Sequence, residues 1–567
     1  MPVTVTYPGV YIEEIPSGVH TISGVATSIT AFVGRTARGP VNVPVTITSF
    51  RDFERTFGGL SIDSPVSYAV KDFYLNGGST AVIVRLYKPG AAPAAANGAS
   101  AASDAPARPP ARRGQQSQAI APAAPTSPGV ATGQVDGGLQ LMAANPGAWG
   151  NRLKVRVDHD GLQPAFAERY GLTVNDFFNL TITDTAPHGQ TERIVNVTLK
   201  DTPRRVDRVL LQSSQLVRVA TQDGTLSSPP VLPDPETKLA DTAFDPKNVA
   251  SLPGLQGGAD SAPLVPADYL GAGPAGPGIY ALDQADLFNL LCIPPDTRDG
   301  DTDPSVYQAA AVYCRERRAM LIVDPPSSWQ PDKSPPVWMQ RLIDLGLSGE
   351  EGRYAAVFYP RLVQADPLRE NQLDTFVPCG AIAGIMARTD TERGVWKAPA
   401  GIGASVAGIR GLAAPLTDAD SGALNPLGIN AIRTFPVYGT VVWGSRTLRG
   451  ADLLADDYKY IPIRRLTNYI EESLFRGTKW ILFEPNDEPL WAQIRMNVEA
   501  FMADLFRRGA FQGNNPGSAY FVRCGADTTT QYDVDRGIVN IQVGFAPLKP
   551  AEFVIISLQQ MAGQSAA

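Results

Sequence analysis

The chain has 567 residues, a length that fits roughly three or four domains. Hydrophobic residues make up 44% of it and charged residues 19%, which is typical of folded rather than disordered proteins. Its 49 Lys and Arg residues nearly balance its 56 Asp and Glu residues, so the net charge of −7 gives no broad basic surface for nucleic acid. No apolar run reaches the length needed to cross a bilayer, and the opening MPVTVTYPGV lacks the pattern of a signal peptide. The sequence therefore predicts a protein made in the cytoplasm, with no direct membrane partner.

Residues 1–20 are predicted to form an extended N-terminal arm. Apolar and threonine side chains alternate at first, Pro8-Gly9 breaks the pattern, and an extended stretch resumes as far as Ile15. The apolar positions are Val3, Val5, Tyr7, Val10 and Ile12. One interpretation is a first strand packed within its own domain. The other is a strand donated to a sheet of a neighbouring copy, where backbone hydrogen bonds supply the affinity.

Residues 21–88 and 262–400 are predicted to form one α/β middle domain. The first part reads as the strands ITAFVG and VTITSF, a helix over about 64–75, and TAVIVRLY, whose AVIV core is typical of a central strand. FERTFGG and NGGST are interpreted as turns. In the second part, helices near 281–288, 307–318, 337–345 and 380–388 alternate with the strands LLCIP, AMLIV and YAAVFYP. This alternation predicts parallel strands joined by right-handed crossovers.

Two segments interrupt this domain. Residues 89–134 are rich in Ala, Pro, Gly and Ser, and are predicted to be a flexible linker because they bury too little apolar surface to offset ordering entropy. Residues 135–261 contain the alternating runs LKVRVDH, FFNLTITDT, RIVNVTLK and LVRVA, which predict an inserted antiparallel β-domain. His159 and His188 in this region lack carboxylate or cysteine partners at ligand spacing, so no metal site is predicted.

Residues 401–548 are predicted to form the C-terminal domain, beginning at the strand VYGTVVWG. A helix is expected near 464–476, followed by the strand-like run 480–483. A second helix carries an apolar stripe at three- and four-residue spacing from Leu490 to Leu505 and stops near Gly509. The residues Val539, Ile541, Val543 and Phe545 share one face of a strand. Residues 549–567 form a C-terminal arm whose strand, with Phe553 and Ile555, needs an edge to join, and that edge is expected on another copy.

Enzyme chemistry is poorly supported. Gly271, Gly273 and Gly276 satisfy GxGxxG, but prolines interrupt the motif and no strand leads into it. Walker-type and HExxH motifs are absent, and three histidines leave little for a Ser-His-Asp triad. Asp324, after the strand AMLIV, is interpreted as a turn residue rather than a catalytic carboxylate. The four cysteines are scattered and are expected to be free, buried thiols. No enzyme activity and no cofactor are therefore predicted.

Four stretches resemble the contractile tail sheath family of phage tails and bacterial contractile injection systems. They are YPGVYIEEI, GAWGN at 147–151, LNPLGINAIRTFPVYGTVVWGSRTL at 424–448, and RRLTNYIEESLFRGTKWILFEPNDEPLW. The resemblance implies a structural subunit that polymerises as stacked helical rings around an inner tube and contracts to drive that tube through a target envelope. It also implies arms exchanged between copies, a baseplate and a terminator or cap as partners, and a virion tail or a released extracellular particle as the final location.

In this family the C-terminal domain faces the inner tube. By that resemblance, the charged candidates for tube contacts are Arg464, Arg465, Glu471, Glu472, Arg476 and Lys479. A solvated helix face is the alternative explanation. The fold class expected is α/β within a multidomain α+β chain: a mixed α/β middle domain with an inserted β-domain, and an α/β C-terminal domain with exchanged terminal strands. Alternatives are a static tube or capsid component and an α/β nucleotide-dependent enzyme.

Overall fold

The computed structural model describes residues 21–90, 128–135, 139–187, 189–222, 225–226, 254–273 and 276–557. The predicted N-terminal arm, with Val3, Val5, Tyr7, Val10 and Ile12, lies outside the described residues, as do most of the predicted linker, His188 and the chain beyond residue 557.

In chain order, the described strands and α-helices are as follows. The strands are β1 Thr30–Gly34, β2 Val45–Ile47, β3 Ala81–Arg85, β4 Thr132–Val135, β5 Leu139–Ala143, β6 Leu153–Asp158, β7 Phe177–Asp184, β8 Thr191–Thr198, β9 Val217–Val219, β10 Thr221–Gln222, β11 Thr225–Leu226, β12 Leu290–Cys292, β13 Met320–Val323, β14 Ala355–Tyr359, β15 Leu362–Asp366, β16 Gln372–Phe376, β17 Gly411–Leu412, β18 Ile429–Phe435, β19 Gly439–Val442, β20 Tyr520–Arg523 and β21 Gln542–Phe545. The helices are α1 Phe50–Phe57, α2 Pro65–Leu75, α3 Pro164–Glu168, α4 Val206–Ser213, α5 Pro266–Tyr269, α6 Pro304–Glu316, α7 Pro335–Leu345, α8 Cys379–Arg393, α9 Asp418–Leu424, α10 Ile461–Gly477, α11 Glu488–Arg507, α12 Pro516–Ala519 and α13 Gln531–Asp535.

Eight strands form one sheet, in the order β19-β18-β14-β13-β12-β1-β3-β2. The six strands from β18 to β3 run parallel, and β19 and β2 close the two edges in antiparallel orientation. Strand sequences are short and apolar, such as AVIVR in β3, in which every residue is buried. Such runs suit strands that are covered on both faces. The predicted parallel pairing is therefore confirmed.

The two faces of this sheet bury separate sets of side chains. Ala31 and Val33 of β1 point into a core that includes residues of α6 and α7, whereas Phe32 packs into a core built with α1, α2 and α8. This alternation follows from the period of two in a β-strand. The middle of the chain is thus a three-layer arrangement with helices on both faces of a mostly parallel sheet.

Strands β18 and β19 correct the predicted start of the C-terminal domain. The VYGTVVWG stretch contains β19, which pairs with β18, and β18 pairs in parallel with β14. Both strands therefore extend the eight-stranded sheet of the middle domain. In chain order, β18 follows α8 and the short helix α9. Backbone pairing, which local sequence does not reveal, decides its position.

Two further segments differ from the sequence expectations. The FERTFGG stretch, interpreted as a turn, is largely α1: Ser49 caps its N-terminus by accepting the Asp52 N–H, and Gly58 ends it in the left-handed conformation at φ 93°. The run 480–483, expected as a strand, contains a single 3-10 turn over Lys479–Ile481. This run connects α10 to α11 and has no strand beside it to complete a ladder.

Residues 132–219 contain two three-stranded antiparallel sheets, β4-β5-β9 and β6-β7-β8, as the alternating runs predict. These sheets share a core of their own. The GAWGN stretch lies where this region meets the returning chain. There Trp149 is buried, and the Asn151 amide exchanges two hydrogen bonds of 2.8 Å with the backbone of Gly258. The motif therefore fixes the junction between the inserted region and the middle domain.

Helices α10 and α11 form the C-terminal core together with the two-stranded sheet β20-β21. The predicted stripe from Leu490 through Ile494 and Val498 to Leu505 is buried, and Val539, Ile541, Val543 and Phe545 pack against the same core. Asp487 caps α11 by accepting the Leu490 N–H. The predicted helix and the shared strand face are confirmed, although regular pairing begins only at Gln542.

Helix α8 crosses α2 so closely that a methyl group at Gly380 would overlap the carbonyl oxygen of Ala69. We therefore predict that Gly380→Ala lowers the unfolding free energy by roughly 1–3 kcal/mol, the usual cost of overpacking. Gly422 of α9 is a matched control, because a Cβ atom there meets open space. Gly422→Ala should leave stability unchanged or raise it by up to about 1 kcal/mol. Thermal melting of the two variants tests this, and equal melting temperatures would contradict the close-packing argument.

Candidate assembly interface at the C-terminal region

Six charged residues on and just after α10 were expected at the surface. They are Arg464, Arg465, Glu471, Glu472, Arg476 and Lys479. Of these, Arg464, Arg465 and Glu472 have only 3% to 7% of their surface exposed. Their expected role as surface contacts is therefore corrected: their side chains are occupied within the chain. A charge this well buried must be paired, so these residues build the fold of the subunit.

Arg465 joins α10 to two other parts of the chain. Its guanidinium donates to both oxygens of Asp390, at 2.9 and 2.5 Å, and to the carbonyl oxygen of Thr27 at 2.9 Å. Burial raises the pKa of the Asp390 carboxyl, while Arg465 acts in the opposite direction. The Val25 N–H also donates to Ser473 Oγ of α10. The segment 21–28 is therefore held against α10 and α8 by these hydrogen bonds.

The other two buried charges have equally specific partners. The Arg464 guanidinium lies 4.2 Å from the centroid of the Tyr458 ring, a cation–π contact. Glu472 accepts from Arg318 at 2.8 Å and from Arg476 at 2.6 Å. These contacts hold α10 against the middle domain. Arg476 lies four residues after Glu472 on α10, a spacing that the sequence shows, whereas Arg318 is brought to Glu472 only by tertiary packing.

The exposed surface near the end of α10 has a different composition. Lys479 is exposed, and the Glu471 side chain is 41% exposed. Beside them, the large apolar side chains of Phe475, Leu482 and Phe483 are all more than half exposed. Sequence reasoning missed this patch because it assigned 480–483 to a strand. Exposed apolar side chains clustered next to charges are typical of a protein-binding surface.

Strands β20 and β21 form a sheet with only two members. They pair antiparallel from Tyr520 opposite Phe545 to Arg523 opposite Gln542. Within the described residues, neither strand has a second strand partner, and only the bridge between Phe511 and Pro547 touches the end of this sheet. A two-stranded sheet is marginally stable on its own and leaves outward-facing N–H and C=O groups. Its edges can therefore accept further strands.

The C-terminal segment is anchored at Glu552. Arg446, whose side chain is fully buried, donates from Nε and Nη2 to the two Glu552 oxygens, at 2.8 and 2.5 Å. Its remaining nitrogen donates to Asp452 at 2.9 Å. The Arg446 backbone exchanges two hydrogen bonds of 2.7 Å with the side chain of Asn430 in β18. A bidentate ion pair thus links the C-terminal segment to the eight-stranded sheet.

The residues that follow Glu552 are apolar and exposed to solvent. Phe553, Val554, Ile555 and Ile556 are 74% to 90% exposed. Among the described residues, the backbone of 553–557 has no hydrogen-bond partner and no strand pairing. Four consecutive large apolar residues in water are unfavourable by roughly 1.5–3 kcal/mol each relative to burial. The strand that the sequence predicts over Phe553 and Ile555 therefore has no partner strand among the described residues.

Asp324 and the four cysteines, which were considered for enzyme chemistry, all lie in the interior. Asp324 is buried rather than placed in an exposed turn, and its Oδ1 accepts the N–H of Cys379, the first residue of α8. Burial raises the pKa of Asp324 to about 7. All four cysteines are free and buried. Within the described residues, no cluster of His, Cys, Asp and Glu has the arrangement of a metal site, and no helix is long and apolar enough to span a membrane.

The C-terminal region matches a known protein family. Residues 455–560 fit the family model of the phage tail sheath C-terminal domain. This region is therefore similar to the C-terminal domain of phage tail sheath proteins. The tail sheath protein of Vibrio phage KVP40 is 32% identical over 158 residues, which are 26% of this chain and 23% of that protein. The chain thus spans about a quarter of the length of this curated relative. The resemblance to contractile tail sheath proteins is confirmed.

Solved structures extend the comparison to almost the whole chain. The sheath complex of PVC, an extracellular contractile injection system, in its contracted state has a TM-score of 0.54 and 20% identity, and covers 99% of both chains. A chain of the anti-feeding prophage baseplate has a TM-score of 0.52 and 22% identity, over 99% of this chain and 100% of that one. These similarities show that almost the whole chain has the fold of these structures.

The ion pair between Arg446 and Glu552 can be tested with the Glu552→Gln variant. Loss of the carboxylate removes the charge that pairs with a buried guanidinium, a contact worth roughly 1.5–3 kcal/mol. We expect hydrogen exchange of the Arg446 N–H, which donates to Asn430 Oδ1, to accelerate about tenfold or more. Lys549→Gln is the matched control, since Lys549 has no ion-pair partner among the described residues. Unchanged exchange in Glu552→Gln would mean that the ion pair does not hold the segment.

Proposed function

We propose that this chain is the subunit of a contractile sheath, which polymerises as stacked helical rings around an inner tube and contracts to drive the tube through a target envelope. The final location is a phage tail or a released contractile particle, assembled first in the bacterial cytoplasm. The similarity to phage tail sheath C-terminal domains and the fold shared with solved sheath structures support this proposal. Self-association, an inner tube, a baseplate and a cap or terminator are the proposed partners.

One observation carries the proposal. The subunit combines an apolar segment without backbone partners, residues 553–557, with a two-stranded sheet whose edges are open. Donating the segment to the sheet of the next copy satisfies both: the segment gains hydrogen bonds and the sheet gains a third strand. The N-terminal arm, through Val3, Val5 and Tyr7, is proposed to add to another copy in the same way. A chain of such exchanges keeps neighbouring subunits connected while their relative orientation changes.

The exchange also supplies a mechanism for contraction without a chemical fuel. If the contracted arrangement is favoured by about 2 kcal/mol per subunit, roughly the contribution of one buried aliphatic side chain, many linked copies release a large total. Arms that join the copies make them switch together rather than singly. The anchors at Arg465 and Glu552 transmit the pull of each arm to its own subunit, because they tie both segments to the folded core.

The inner tube is proposed to contact the surface formed by Glu471, Lys479 and the exposed Phe475, Leu482 and Phe483. Charges at the rim set register and association rate, and apolar side chains at the centre supply affinity. Arg476 is partly exposed and lies at the border of this surface, where it pairs with Asp286 at 2.7 Å.

Removing either arm tests the exchange. We expect chains that lack residues 1–15, or that end after Pro550, to fold but to form no tubes. Both should fold because neither deletion removes a residue of the described cores. The second truncation also removes Glu552, the partner of Arg446, and should therefore melt at a lower temperature. Ultracentrifuge pelleting and negative-stain images measure the result. Normal sheaths from either truncation would refute the exchange, and rigid tubes of constant length from the intact chain would favour the static alternative.

Charge reversal at Lys479 tests the tube-facing surface. Lys479→Glu should leave sheath assembly intact and reduce the amount of tube protein that co-purifies by about fivefold, equivalent to roughly 1 kcal/mol. Lys333→Glu, also at an exposed lysine, is the control. Equal tube content in both variants would place the tube contact elsewhere. Reversal at Arg464 or Arg465 is unsuitable, because it would disrupt the buried pairs of α10.

A further inference from the structure

Helices α2 and α8 lie together against one face of the eight-stranded sheet, and two buried carboxyl groups connect them to strands. Asp72 of α2 is 1% exposed, and Asp324, directly after β13, is 4% exposed. Asp72 accepts a hydrogen bond of 2.6 Å from the Gln364 amide of β15. Asp324 accepts the Cys379 N–H at the start of α8, at 2.9 Å. Both carboxyl groups therefore lie where this pair of helices is attached to strands.

Neither carboxyl group has an ion-pair partner among the residues that the structure describes. The Asp72 Oδ1 and Asp324 Oδ2 atoms are buried and also lack a hydrogen-bond partner. Burying an unpaired carboxylate costs far more than burying the protonated acid, so an interior position without a cation favours uptake of a proton. The geometry of both sites therefore favours the neutral form of the acid.

The charged and titratable side chains near Asp72 do not neutralise it. Burial raises the pKa of Asp72 to about 7, although the hydrogen bond from β15 and the Lys71 charge act to lower it. Arg298 and Tyr68 line the same small cavity as Asp72. Both are engaged with Asp366: Arg298 pairs with it at 2.6 Å, and the Tyr68 hydroxyl donates to it at 2.9 Å. Asp72 is thus left without a cation of its own.

Four titratable or charged side chains surround Asp324. They belong to α8, β12, α6 and the loop after β14, and are, in that order, Cys379, Cys292, Tyr307 and Arg361. Burial raises the pKa of Asp324 to about 7, while the hydrogen bonds from Cys379 and the charge of Arg361 act to lower it. Arg361 itself pairs with Asp301. Burial also raises the pKa of both thiols and of the phenol, so these groups supply no charge near neutral pH.

Asp366 shows what a cation partner changes. This residue is 0% exposed, and burial acts to raise the pKa of its carboxyl. Hydrogen bonds, of which that from Arg298 is the strongest influence, reverse the effect and hold the pKa below its usual value. Arg298 also pairs with Asp374 at 2.7 Å. The lack of such a cation distinguishes Asp72 and Asp324 from this neighbouring buried carboxylate.

We propose that Asp72 and Asp324 form a pH-sensitive switch, which holds α2 and α8 against the sheet while both carboxyl groups are protonated and loosens this layer when they ionise. Ionisation places two unpaired negative charges inside one layer of helices. The helices contact each other closely at Gly380 and Gly384 of α8, so displacement of one helix disturbs the other. The switch lies within a single subunit and goes beyond the proposed sheath function, on which it does not depend.

The direction of the effect follows from proton binding in the two states. In the unfolded chain both groups have the usual pKa of 3.8, whereas in the folded chain they keep their protons up to about pH 7. Between these values the folded state binds more protons than the unfolded state. The stability that protonation contributes is therefore complete below pH 3.8 and is lost as the pH rises to about 7.

The double variant Asp72→Asn/Asp324→Asn tests the switch in the full-length chain, because an amide of the same shape stays neutral at every pH. Its melting temperature, relative to that of the intact chain, should be about 5 °C higher at pH 8 than at pH 5. Any constant cost of the substitutions cancels in this comparison. If the double variant does not fold, each single variant should show about half of this shift.

Asp344→Asn, which removes an exposed carboxylate, is the matched control and should melt with the same offset from the intact chain at both pH values. An offset of the double variant, or of the two single variants, that does not change between pH 5 and pH 8 would overturn the proposal.

Hydrogen exchange at the same two pH values locates the effect. In the intact chain, the protection of N–H groups in the first two turns of α8, corrected for intrinsic exchange rates, should fall about tenfold or more from pH 5 to pH 8. In Asp324→Asn it should stay nearly constant. Helix α11 belongs to a separate core and is the internal reference. Equal loss of protection in α8 and α11 would mean that pH acts on the whole chain, and would overturn the assignment to this layer.

Discussion

A single buried guanidinium connects the largest sheet of this protein to its C-terminal arm. Arg446 is held by Asn430 of β18 through its backbone and holds Glu552 through two charge-assisted hydrogen bonds. A fully buried arginine is tolerated only when its donors are satisfied by acceptors of opposite charge. Glu552 must therefore stay in place as long as the sheet is folded. The direction in which the following apolar residues leave the subunit is consequently fixed by the core.

Helix α10 gives the N-terminal segment a comparable attachment. Its charged side chains are turned inward, toward Asp390, Arg318 and the backbone of Thr27, rather than toward a partner. Both ends of the described chain are thus attached to the folded core. The N-terminal segment is attached through Arg465 of α10, and the C-terminal segment through Arg446. Both attachments depend on well-buried ion pairs, Arg465 with Asp390 and Arg446 with Glu552. In the proposed sheath, such attachments let each copy move as a rigid unit.

Backbone groups without a partner occur at two places near the C-terminus. Within the described residues, the outer edges of β20-β21 have no further strand, and the segment after Glu552 has no backbone hydrogen bond. Open edges are normally an aggregation hazard. In the proposed sheath, these edges accept strands from neighbouring copies, which favours ordered self-assembly over random association.

The sequence by itself determined the local elements and the family. Period-two and period-3.6 patterns located most strands and the stripe of α11, because side-chain direction along a chain depends only on its own backbone. Tertiary structure alone decided which strands share a sheet, so that β18 and β19 join the middle domain and not the C-terminal one. It also decided that Arg464, Arg465 and Glu472 lie inside. The sequence pattern of a charged helix residue is the same whether its side chain is solvated or paired with a residue distant in the chain. Only tertiary packing places Asp390 beside Arg465 and Arg318 beside Glu472.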